Sequence, residues 1–110
     1  MAKDDYHVIV FRILKYLYKR LKNGLPVEPE MLRHDSSICK INEVYWKYIL
    51  GSMQEEGLIR GLKKDEDQEE YEHLEEQVAH IQITPKGIML LSDNRIGERV
   101  DQLIKGVVKI

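Results

Sequence analysis

Residues 65–76, DEDQEEYEHLEE, concentrate the ionisable groups of this chain: eight carboxylates and His73, with no lysine or arginine. Carboxylates at a fixed spacing can do acid–base work, and a histidine among acids can hold a metal. A run of acids alone implies neither, because charge-rich hairpin tips are ordinarily solvated. A metal held in space by His73 and the acids around it is therefore the minor reading. His7, His34, His73 and His80 lie far apart, with no HxxxH or paired-cysteine spacing. The seven glycines are scattered at helix ends and turns and form no phosphate-binding loop. Cys39, the single cysteine, precedes a predicted helix. A thiol there can have a lowered pKa and sense oxidants, but a small buried apolar role takes precedence. The expectation is a chain with no catalytic residue, no metal and no cofactor.

A second group of residues suits recognition rather than reaction. Arg33, His34, Lys40 and Lys47, with Lys63 and Lys64 further on, supply positive charge around one predicted helix. Lysine and arginine that neutralise phosphates provide most of the non-specific affinity for duplex DNA. Asn42, Tyr45 and Tyr48 add polar and aromatic contacts on the same helix. Tyrosine serves a protein interface equally well, where it is enriched. Trp46 shares a face with Leu50 and Met53 and reads as core. Glu43, Glu55 and Glu56 lie on or beside the helix and oppose a duplex.

The elements that must position these groups fit one domain over residues 1–110. A chain of 110 residues with 43% hydrophobic and 33% charged residues can bury a core without disulfides or metals. The net charge of -2 hides an asymmetry: outside 65–76 there remain 17 basic residues against 11 acidic, a balance of +6. No apolar run approaches the roughly 18 residues that span a bilayer. The N-terminus lacks the pattern of a secretory signal, so the expected location is the cytoplasm and no membrane contact is expected.

Helical periodicity predicts a first helix over 4–22, capped by Asp4 or Asp5, with Ile9, Val10, Ile13, Leu14, Leu17 and Leu21 as its apolar stripe. Asn23-Gly24 ends it. A short helix over 29–34 starts at Pro29. Asn42 caps a third helix over 42–56, stopped by Gly57. Strands are predicted over 58–63 and 78–84, joined by an acidic hairpin over 64–77. Thr84-Pro85 starts a fourth helix, and a closing helix covers 95–108. This order predicts a mostly helical α+β fold: a winged helix-turn-helix with a two-stranded wing and two C-terminal helices. In that arrangement the third helix is the one offered to a major groove.

The run Tyr45–Ile59, YWKYILGSMQEEGLI, resembles a recognition helix leading into a wing, and Ile83–Leu91, ITPKGIMLL, resembles the return into a closing helix. With FRILKYLYK near the N-terminus, the chain is similar to the YjcQ family of small proteins from Gram-positive bacteria and their phages. The resemblance covers nearly the whole chain. It implies a winged-helix fold and a DNA-related role, and it carries no catalytic residues.

Two functions follow as expectations. The first is a double-stranded-DNA-binding regulator, of a phage or mobile element, contacting DNA through Arg33, His34, Lys40, Asn42, Tyr45, Lys47, Tyr48, Lys63 and Lys64. A homodimer through the 95–108 helix would match a palindromic site. The alternative is a protein-interaction module, an adaptor or inhibitor. It would dock a basic partner on Asp65, Glu66, Asp67, Glu69, Glu70, Glu72, Glu75 and Glu76.

Overall fold

The computed structural model describes residues 6–64, 71 and 73–93. The closing helix over 95–108, its pairing role and the Asp4 or Asp5 cap lie outside the described residues, as do Asp65, Glu66, Asp67, Glu69, Glu70 and Glu72. What is described is mostly helical α+β, with one small antiparallel sheet.

Helix α1 spans Tyr6–Lys22 and buries Val8, Ile9, Val10, Phe11, Ile13, Leu14 and Leu17. The stripe is wider than predicted at its start and shorter at its end. Val8 and Phe11 pack with Leu91 in a satellite cluster, whereas Leu21 is 60% exposed because the helix has run past the core. Gly24 sits at φ +68 in a left-handed cap, and the Leu25 amide donates to the Arg20 carbonyl at 2.9 Å.

The predicted 29–34 helix shortens to a 3-10 turn, Pro29–Leu32, because Arg33 is extended. Helix α2, Glu43–Glu55, is capped by Asn42, whose side chain accepts from the Tyr45 amide at 2.8 Å. Its inner face is Trp46, Ile49, Leu50 and Met53, all with no exposed surface. Trp46 Nε1–H donates to the Leu32 carbonyl at 2.8 Å, fixing the 3-10 turn against α2.

The sheet is much shorter than the two predicted strands. Strand β1 is Ile59–Arg60 and β2 is Gln82–Ile83, in antiparallel register Ile59↔Ile83 and Arg60↔Gln82. Gly61 at φ +113 turns the chain away after Arg60. Side-chain amides then replace the missing ladder. Gln54 accepts from the Leu62 amide at 2.7 Å and donates to the Leu62 carbonyl at 2.6 Å. Gln77 does the same for Lys63, at 2.6 and 3.0 Å. Gln54→Ala would leave both backbone groups of buried Leu62 unpaired. The expected cost is about 2 kcal/mol in urea denaturation.

Two predicted stretches are helical instead: within the predicted hairpin, α3 is the single turn Leu74–Gln77, and the start of the predicted second strand, Val78–His80, is a second 3-10 turn. Leu74, Val78 and Ile81 all point into the core. Past β2, helix α4 covers Pro85–Leu91, and Thr84 Oγ1 accepts from the Gly87 amide at 3.0 Å as predicted. Gly87 is a close-approach position, since a Cβ there would lie 2.5 Å from the Leu58 carbonyl oxygen. Among the described residues no helix is long and apolar enough to cross a membrane.

Candidate recognition surface

Of the residues predicted to contact DNA, Arg33, His34, Lys40 and Asn42 precede α2, Tyr45, Lys47 and Tyr48 lie on it, and Lys63 and Lys64 follow β1. Helix α2 has 13 residues, about 20 Å of length, and its inner face anchors it in the core. Its outer face carries Val44, 80% exposed, and Tyr48, 65% exposed. With Lys47, Gly51, Ser52, Glu55 and Tyr71 these line a shallow depression of about 350 Å³. Tyr71 forms its far wall. The ring lies close enough over the helix that a Cβ on Gly51 would sit 3.1 Å from it. The Lys64 ammonium stands 4.8 Å from the centre of the Tyr71 ring, and Gln54 Nε2 donates to the Tyr71 hydroxyl at 3.4 Å. Tyr71 also pairs with Lys64 through an isolated antiparallel bridge. Tyr71 is therefore held against the outer side of α2.

Tyr6 braces this face from the other side. Its ring meets Tyr48 edge-on at 6.4 Å, and its hydroxyl donates to Glu56 at 3.4 Å. Burial and the neighbouring Glu56 carboxylate push the Tyr6 phenol up to about 12. Because its folded value is raised, the stability linked to Tyr6 is fully present below its ordinary value near 10 and is lost as pH rises towards 12. Ultraviolet titration should accordingly show a late tyrosinate that is absent from Tyr6→Phe, and that variant should lose less stability between those pH values.

The predicted cations do not converge. Arg33 pairs with Asp35 at 3.5 Å, and Lys64 pairs with Glu55 at 3.2 Å. Lys40 is exposed in a left-handed turn at φ +50, before the N-terminus of α2. Lys63 is exposed, with its backbone held by Gln77. Lys47, in the middle of the face, borders a depression of about 270 Å³ with Glu43, His73, Leu74, Glu75 and Glu76. Tyr45 is half-buried against the core, and the Asn42 oxygen is spent on its capping bond. His34 is half-buried, with Nδ1 at 3.3 Å from the Ile41 carbonyl. Cys39 is 1% exposed and its thiol is pushed up by burial, which a hydrogen bond from Ser36 and the charge of Arg12 only partly offset. The exposed low-pKa thiol that oxidant sensing needs is not present.

Sequence reasoning missed three features. Tyr71 as a wall and Gln54 and Gln77 as ladder substitutes join positions whose separations follow no local pattern. The third, the turn of helix at 74–77, did have a signal: Leu74, Val78 and Ile81 are spaced i, i+4, i+7.

The sequence model of the family described as YjcQ protein matches residues 11–110, from the middle of α1 through every later element. The chain belongs to the YjcQ family. No curated protein and no solved structure matches it. Membership in the YjcQ family thus extends over the α2 face and its acidic flank, and supplies no substrate or partner for either.

Proposed function

We propose that this YjcQ-family chain is a non-catalytic recognition module of the winged-helix type, working through the outer face of α2, and that its target is a protein surface. On this reading α1, the 3-10 turn and α2 form the helical core, and β1 and β2 with the segment between them form the wing. The observation that carries the choice of target is the charge around α2. Arg33 and Lys64 are each paired with a carboxylate, and Lys47 borders a depression lined by Glu43, Glu75 and Glu76. A duplex would meet these acids where it needs cations. Val44 and Tyr48, with half-buried Tyr71 beside them, instead offer apolar and aromatic area, the kind that anchors protein interfaces.

The second reading is double-stranded DNA binding, the phage or mobile-element regulator. It is favoured by Lys40 and Lys47, both exposed and neither ion-paired with another described residue, on or next to the helix that a winged helix offers to DNA. A photo-reactive phenylalanine analogue at Val44 distinguishes the two. Crosslinking in cells that express the protein should capture a protein, and the purified partner should bind Tyr48→Ala and Val44→Asp at least tenfold more weakly, about 1.4 kcal/mol each. A partner that binds both variants as it binds the wild type would sink the reading. Capture of nucleic acid alone would transfer it to DNA.

A further inference from the structure

His34, Glu43 and Glu75 come together although they lie 9 and 32 residues apart in sequence. One ligand-capable atom from each falls within 4.8 Å of the other two. His34 stands in the loop before α2, Glu43 in the first turn of α2, and Glu75 on α3. The imidazole is positioned independently of the two acids. Its Nδ1 faces the Ile41 carbonyl at 3.3 Å, and a carbonyl only accepts, so Nδ1 carries the proton. Its ring also packs edge-on against buried Trp46 at 6.0 Å. A backbone carbonyl on one ring nitrogen is the arrangement that orients histidine ligands, because it leaves the Nε2 lone pair for a metal.

From this geometry we propose that His34, Glu43 and Glu75 form a binding site for a first-row divalent transition metal of the Zn²⁺ class. One imidazole and two carboxylates suit such an ion, and three protein ligands leave a further position for water. Bonds of about 2.0–2.2 Å in a tetrahedral shell place donor atoms about 3.3 Å apart. Glu43 and Glu75 are exposed, so rotation of their side chains closes the remaining gap at little packing cost. Lys47 borders the depression that Glu43 and Glu75 line, and its exposed ammonium turns away as the ion enters. The bound ion fastens α3 to the N-terminal turn of α2 and so holds Glu75 and Glu76 beside the proposed recognition face. The site rests on these three side chains alone and stands whatever α2 recognises.

Titration calorimetry and thermal melts of the full chain with ZnCl₂, with MgCl₂ run in parallel, test the site. One equivalent of Zn²⁺ should bind at micromolar concentration and raise the melting temperature by roughly 5 °C or more at saturation. Glu43→Gln and Glu75→Gln, both at exposed positions that leave the fold intact, should each weaken Zn²⁺ at least tenfold. His34→Ala should abolish binding, and its circular dichroism reports whether the variant remains folded. His73→Ala and Cys39→Ser should bind as the wild type does. Absence of Zn²⁺ binding to the wild type would overturn the proposal. Wild-type affinity in both glutamine variants would overturn it too, by placing the ion elsewhere. Equal affinity for Mg²⁺ would reduce the cluster to solvated acids and overturn it as well.

Discussion

Replacing Trp46 with alanine is expected to cost about 4 kcal/mol and to leave the domain largely unfolded at moderate temperature. The side chain has no exposed surface and belongs to the main buried cluster, which joins α1, α2 and the 3-10 turn to β1, β2 and α3. Removing a buried aromatic of this size loses its transfer energy and leaves a cavity, together about 3–5 kcal/mol. The substitution also orphans the Leu32 carbonyl, which the indole N–H satisfies at 2.8 Å. Trp46→Phe separates the two contributions: it keeps much of the packing and loses the donor, and should cost about half as much. Trp46 is the only tryptophan, so circular dichroism in urea must follow both variants. A cost near 1 kcal/mol for Trp46→Ala would contradict the packing described.

Gly61→Ala should be nearly as damaging, at about 3 kcal/mol. Two causes combine. At φ +113 the backbone lies where side chains are rarely tolerated, and a Cβ would run into the His80 carbonyl. Gly24→Ala is the matched control. It has a positive φ of +68 with nothing within 4 Å of the added carbon, so it carries backbone strain without collision. It should cost about 1 kcal/mol. The difference between the two midpoints in urea, at unchanged m, measures the collision. Equal costs would mean that residues 61 and 80 are not packed as described.

Much of the fold is legible in the chain because local chemistry decides it. Asn42, Gly57, Thr84-Pro85 and Gly24 end or begin helices by hydrogen bonds made within a few residues, and each does so where the sequence places it. The inner face of α2 follows from the spacing of Trp46, Ile49, Leu50 and Met53. Strand pairing was less legible. Alternating residues such as Val78 to Ile83 satisfy a strand pattern, yet Val78–His80 folds as a 3-10 turn because Leu74, Val78 and Ile81 are needed in the core together. The glutamine clamps on Leu62 and Lys63 bridge 8 and 14 residues, and a uniform polar residue gives no sign of that role beforehand.

The candidate surface divides in the same way. That Val44 and Tyr48 face outward follows from their opposition to Trp46 and Leu50 on a helix. Which acids stand beside Lys47 does not follow, because Glu75 and Glu76 arrive from a separate element. The basic set around α2 therefore looked more continuous in sequence than it is in space. Sequence position counts charges, whereas affinity for phosphate depends on where the opposing carboxylates fold.

The most direct test of the central claim, that α2 addresses a protein rather than duplex DNA, is fluorescence anisotropy with labelled duplexes pooled from genomic fragments. At about 50 mM salt, phosphate contacts contribute strongly. A protein-directed α2 should give no saturable binding up to about 10 μM protein, within the range where non-specific binders already associate. Saturable binding that weakens steeply with added salt and is lost in Lys47→Ala would contradict it.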